Sequence, residues 1–265
     1  MPKLIKFSGI PGLMNLALYA FFKRYSTIFG KNRKMNAIKT SLLLLILSFM
    51  ACKGEKKESA TTADAAEEQD ILKKVAYAHG FENWDKVREL HFTFNVDRDT
   101  SHFERSWIWK PASGDVTLIS GGDTIEYNRK EVDSALAGSD ASFINDKFWF
   151  LAPYQLMWDH QSFTYELTPD TTAPISGKPM QKLTIVYGDE GGYTPGDAYD
   201  LYLDEGHMVR EWTFRRGNKP PPGSDATWGG YRDMEGLELA TEHEMGGGAA
   251  KLYFSGIKVV TNNPE

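Results

Sequence analysis

The chain has 265 residues, with 30 basic and 36 acidic side chains, a formal net charge of −6 and a single cysteine, Cys52. Eight basic and no acidic residues precede Cys52, so the remainder carries 22 basic against 36 acidic residues, a net of −14. So acidic a body repels phosphate backbones and argues against nucleic acid as a partner, and one thiol permits neither an intramolecular disulfide nor a cysteine-based metal site.

Met35–Cys52, MNAIKTSLLLLILSFMAC, has the layout of an export signal: Lys39 as the basic region, an apolar run over Leu42–Met50, then the small Ala51. The run is far short of the roughly 20 residues needed to span a bilayer. It ends at Cys52 and the polar Lys53-Gly54-Glu55-Lys56-Lys57. This resembles a bacterial lipoprotein signal, in which the cysteine is acylated and becomes the new N-terminus; Phe49-Met50-Ala51-Cys52 departs from it in lacking a Leu three residues before the cysteine. The resemblance implies an envelope protein held to a membrane through lipidated Cys52, at the periplasmic face of the outer membrane or at the cell surface. Residues 1–34, with a second apolar patch at Leu13–Phe22 before Lys31–Lys34, are expected to be an over-extended gene start, with translation beginning at Met35. Residues 35–51 are then the signal, 52–66 a flexible tether without apolar periodicity, and 67–262 a single domain.

The domain opens on a predicted helix, Glu67–His79, with Ile71, Leu72, Val75 and Ala78 at helical spacing and Gly80 as its stop. Strands follow at Arg88–Asp97, where Leu90, Phe92, Phe94 and Val96 alternate with polar residues, and at Phe103–Lys110, Asp115–Ser120 and Thr124–Asn128. Glu131–Leu136 reads as a short helix stopped by Gly138. Ser139–His160 carries Phe143, Phe148, Trp149, Phe150, Tyr154 and Trp158, a load suited to a helical cover over a sheet, which Pro153 should break in two. Strands resume at Phe163–Leu167, Lys182–Tyr187, Tyr199–Asp204, Val209–Arg215, Leu237–Met245 and Lys251–Val260. The fold class expected is mainly β: a strongly curved antiparallel sheet, or unclosed barrel, of about ten strands covered by helices.

This order, with the opening stretch AYAHGFENWDKVRELHFTF (residues 76–94) and the lipoprotein signal, resembles the LolA/LolB-like superfamily of lipoprotein carriers and lipoproteins of Bacteroidetes-type bacteria. The resemblance implies an apolar cavity inside the curved sheet. Phe92, Phe94, Trp107, Trp109, Trp212 and Phe214 are then expected to line the concave face, with Phe148, Leu151, Leu156 and Met157 covering it, so that the protein binds a hydrophobic small molecule or lipid as carrier or sensor. These residues equally suit a filled core, which leaves a structural or partner-binding envelope lipoprotein as the alternative and an envelope hydrolase as a third reading.

No HExxH, G-x-S-x-G, P-loop or G-x-G-x-x-G motif occurs, so no catalytic residue and no cofactor is assigned. Asp159-His160 and Glu242-His243-Glu244 come nearest to acid–base or metal groups, and in a strand His243 faces away from its acidic neighbours. Tyr187–Tyr199, with Asp189, Glu190 and Asp197, could hold calcium but lacks the EF-hand spacing, so no metal is assigned.

Overall fold

The computed structural model describes residues 71–190 and 194–262, which lie in the second of two compact units, 60–265, into which the chain divides. The expected gene start, signal, Cys52 and tether lie outside the described residues. Residues 71–78 form helix α1, which buries Ile71, Leu72, Val75 and Ala76. Gly80 then turns the chain at φ 82° into a 3-10 turn, Phe81–Lys86, that carries Trp84.

Thirteen strands follow among the described residues: β1 (Val87–Arg98), β2 (Ser101–Lys110), β3 (Asp115–Ser120), β4 (Asp123–Asn128), β5 (Phe163–Thr172), β6 (Pro179–Tyr187), β7 (Ala198–Leu203), β8 (Val209–Arg215), β9 (Ser224–Thr227), β10 (Arg232–Met234), β11 (Leu237–Leu239), β12 (Glu242–Glu244) and β13 (Lys251–Thr261). They form sheets of order β12-β13-β1-β2-β3-β4 and β5-β6-β7-β8-β9, with β10-β11 as a separate hairpin. All pairings are antiparallel. Bridges Ala226–Met245 and Gly229–Glu242 join the β9 end of one sheet to the β12 end of the other. The ribbon therefore runs from β4 round to β5, and helix α2 (Ala137–Trp158) links these two edges.

The curvature follows from how α2 is used. Phe148, Ala152 and Leu156 enter one core cluster with Leu183, Tyr199, Leu201 and Trp212 of the five-stranded sheet. Phe143, Phe150, Leu151 and Tyr154 enter another with Leu90, Phe92, Trp107 and Phe254 of the six-stranded sheet, and Trp149 packs against both. A helix apolar around most of its circumference must be covered on most of its circumference, and the ribbon bends round it to do so. Each fully buried Phe or Leu contributes roughly 1.5–3 kcal/mol. The fold is thus mainly β, an unclosed, curved antiparallel sheet around a helix, as the strand pattern led us to expect.

Local details differ from the sequence reading. Residues 131–136 are turns and not a helix: Asp133 Oδ1 accepts from the amides of Ala135 and Leu136 at 2.9 and 3.0 Å, an Asx turn leading into α2. Gly138, expected as a stop, lies in the first turn of α2. The break in α2 falls at Leu151 (φ −128°, ψ 26°), two residues before Pro153, whose ring crowds the carbonyl four residues back and removes an amide donor. The strand expected over Leu237–Met245 is two, β11 and β12, because Ala240 and Thr241 are both buried and the chain changes partner there from β10 to β13. Thr241 Oγ1 donates to the Gly230 carbonyl at 2.7 Å across that step. Strands β9 and β10 had no signal in the sequence, being only 4 and 3 residues long.

Candidate functional site

The ten residues read as ligand-lining fall into two groups. Phe92, Phe94, Trp107, Trp109 and Leu151 belong to the core on the six-stranded side, and Phe148, Leu156 and Trp212 to that on the five-stranded side, with half-buried Phe214 packed against the latter. Met157 is half-buried near the end of α2 and belongs to neither cluster. The space between helix and sheet is occupied by rings in direct contact: Phe150 stacks on Phe254 at 4.3 Å, Trp149 meets Trp212 at 4.2 Å, Phe148 meets Tyr199 at 4.7 Å and Phe143 meets Trp107 at 5.4 Å between centroids.

Open space lies beside the helix instead. A cleft of about 380 Å³ runs between α2, the 3-10 turn and the end of β2. Its walls include Trp84, Trp109 and Trp158, which form a triangle of indoles with centroids 4.8, 5.6 and 6.2 Å apart. The triangle assembles because Trp84 follows the tight turn at Gly80, Trp109 points inward on the alternating β2, and Trp158 ends α2.

The polar lining comes from α2, where Ile144, Lys147, Gln155 and Trp158 recur on one stripe of an otherwise apolar helix. Lys147 is 4% exposed, and its Nζ sits 4.8 Å from the Trp109 ring centre and 5.2 Å from that of Trp158. Burial pulls its ammonium down to about 7; nearby Arg129 adds to this, and Asp159 and Asp140 oppose it. Gln155 is 1% exposed and its Nε2 has no hydrogen-bond partner among the described residues. At the rim Arg129 Nε donates to Asp140 Oδ1 at 2.8 Å, and Asp159, its carboxyl raised by burial, accepts from the Tyr187 hydroxyl at 3.3 Å. Lys147 and Gln155 were missed because the segment was read for its aromatic residues; the signal was two polar residues, eight apart and so on one helical face, inside a helix expected to be covered.

A second cleft, about 340 Å³, is edged by Asp97, Arg232, Glu242 and Lys251, and there Lys251 Nζ already donates to Glu242 at 3.1 Å. His243 faces inward while Glu242 and Glu244 face out. Its Nδ1 donates to the Thr227 carbonyl at 3.1 Å, and burial among Trp149, Trp228 and Phe254 drives it down to about 3. His160 is exposed and donates to the Met157 carbonyl, apart from the Asp159–Tyr187 contact. Among the described residues no group of three His, Cys, Asp or Glu is arranged to hold a metal ion. In the 187–199 loop, Asp197 Oδ1 accepts from the Gly217 amide at 2.6 Å. No described helix is long and apolar enough to cross a membrane.

No protein-family model matches this sequence, and no curated protein sequence does. The fold is similar to that of several solved structures. These include a DUF1329 family protein from Desulfovibrio piger, at 10% identity and TM-score 0.44 over 75% of this chain and 94% of that one. A putative outer membrane lipoprotein-sorting protein domain from Vibrio parahaemolyticus matches at 12% identity and TM-score 0.43, over 76% and 95% of the two chains. A LolA superfamily protein from Nitrosomonas europaea matches at 13% identity and TM-score 0.42, over 74% and 94%. The likeness is one of fold alone.

Proposed function

We propose that this is a binding protein of the cell envelope, not a catalyst, which holds a hydrophobic or amphiphilic small molecule in the tryptophan-walled cleft beside α2. The observation that carries the reading is the cleft itself: within a core otherwise closed by ring-on-ring contact, three indoles stand apart with a buried lysine and a buried amide among them. Small-molecule sites have this make-up, apolar walls with a few placed polar groups, and volumes of roughly 300–1,000 Å³. At about 380 Å³ the cleft suits one single-chain molecule. Deeper entry of an acyl chain, among Phe148, Leu156 and Trp212, requires α2 to shift at its Leu151 break, so a carrier role couples binding to helix movement. Acylated Cys52 and the tether of residues 52–66 then keep the domain at a membrane.

The test is native mass spectrometry and solvent extraction of protein made in bacteria, with titration of the tryptophan fluorescence by single-chain amphiphiles. A co-purified or titrated ligand, lost in Trp109→Ala, is the expected result. If no amphiphile binds, the second reading holds. The close-packed interior favours that reading: a partner-binding envelope lipoprotein whose core is only a core.

A further inference from the structure

Trp212 on β8, Trp228 just after β9 and His243 on β12 meet where the two sheets join, and each is at most 2% exposed. Between ring centroids Trp228 is 5.4 Å from Trp212 and 4.6 Å from His243. Trp212 Nε1, Trp228 Nε1 and His243 Nε2 have no hydrogen-bond partner among the described residues. A buried polar atom left unmet forfeits its hydration without return, and three side by side in one aromatic cluster call for an explanation beyond packing.

Chemistry fixes what these atoms require. His243 Nδ1 lies 3.1 Å from the Thr227 carbonyl, which can only accept, so Nδ1 carries the proton and Nε2 offers a lone pair. An indole nitrogen can only donate. The joint therefore lacks one group that accepts from an indole and donates to the imidazole. An uncharged hydroxyl does both, whereas an ether, an ester or a carboxylate only accepts and an ammonium only donates.

The way in is Trp149 of α2. Its ring packs 4.2 Å from Trp212 and 5.5 Å from His243, and it is half-buried where those two are closed off. It stands two residues before the Leu151 break in α2, so the helix can carry this ring aside without disturbing the whole cover.

We infer that the joint between the sheets is a subsite for the hydroxyl of a neutral alcohol, which donates to His243 Nε2 and accepts from an indole N–H once Trp149 has moved. This rests on the proposed entry of a ligand chain into the core by a shift of α2, and it adds what the polar end of that chain meets there. The apolar body lies in the cluster that Trp212 shares with Leu156 and Tyr199.

The experiment compares 1-octanol with its isomer heptyl methyl ether, which has the same atoms but no donor, and with octanoate. Each is titrated calorimetrically into wild type, Trp109→Ala and His243→Phe, and the His243 Nε2 resonance of wild type is followed by nitrogen-15 NMR. Octanol is expected to bind about tenfold or more tightly than the other two, to move the Nε2 resonance upfield as it gains a hydrogen bond, and to lose its margin in His243→Phe. Should that variant not fold, the wild-type series and the resonance decide. Ether or octanoate binding as tightly as octanol, or an Nε2 resonance that octanol leaves in place, overturns the hydroxyl subsite and leaves the amphiphile reading intact. An octanol-induced Nε2 shift that survives Trp109→Ala supports the subsite and overturns the tryptophan-walled cleft as the ligand's seat; no binding by any probe overturns both.

Discussion

Arg105 on β2 reaches Asp146 on α2 with its forked guanidinium, Nη2 lying 2.6 Å from Oδ1 and Nε contacting Oδ2. Asp146 has no solvent exposure, and it also accepts from the Trp107 indole at 2.7 Å and from the Asn145 side-chain amide at 3.0 Å. A carboxylate placed there without these donors carries an uncompensated buried charge; with them it pins the helix to the sheet at a set height and rotation.

Arg105→Ala is therefore expected to destabilise the domain by about 3–5 kcal/mol, because it strands Asp146. The double variant Arg105→Met/Asp146→Leu should recover most of that loss. Urea midpoints of the three proteins check this; an Arg105→Ala loss below about 1 kcal/mol would show that the pair does not hold the helix.

Lys147→Met should stabilise the protein by about 1–3 kcal/mol at neutral pH. The lysine is held at about 7 in the folded state against 10.5 in the unfolded chain, so the unfolded state binds more protons between these values. The gain from Met is accordingly largest below about pH 7 and fades towards pH 10.5. Burial opens this window; Arg129 widens it, and Asp159 and Asp140 narrow it. Thermal melts of both proteins across that range measure it.

His79 and His243 should make the domain acid-sensitive well above the carboxylate range. His79 Nδ1 donates to the Val75 carbonyl at 2.7 Å, and burial lowers its pKa to about 4; that of His243 is lowered to about 3. Both bind a proton near 6.5 once unfolded, so stability falls as pH drops from about 6.5 to about 4, by a few kcal/mol for each residue in full. Asp159, raised by burial, and exposed His102, raised by hydrogen bonds to Asp97 and Glu104, act in the opposite sense. The loss between pH 7 and 4 should therefore be compared with that of His243→Phe, whose profile is expected to be flatter; an unchanged profile would contradict the assignment.

Gly80→Ala is expected to cost several kcal/mol or to prevent folding. Gly80 sits at φ 82°, and a Cβ there meets the Gly236 carbonyl oxygen at 2.0 Å, against backbone that has no other place to go. Gly236, with Glu235, forms the positive-φ turn of the β10-β11 hairpin, and Asn83 Nδ2 donates to the same carbonyl at 3.0 Å. The contact sets Trp84 beside the cleft, so a folded Gly80→Ala protein should also show altered tryptophan emission. Circular dichroism and fluorescence together separate the two effects.

The strands were legible because their signal is local. Leu90, Phe92 and Phe94 alternate with polar neighbours at the period of a pleat, and β3 and β8 have the bounds expected of them. The turn at residues 204–208 is local in the same way: Asp204 Oδ1 accepts from the amides of Gly206 and Met208, short-range chemistry between adjacent residues. Whether Phe148 and Leu151 bound a hollow or fill it depends on how far apart two sheets stand, and that distance is set by α2 packing against both at once. Lys147 and Gln155 likewise acquire their character only when Trp84, from a turn 63 residues before Lys147, and Trp109 close around them. Periodicity places a side chain on a face; burial, charge compensation and an unmet donor are properties of what lies opposite, and only long-range contacts bring that partner into position.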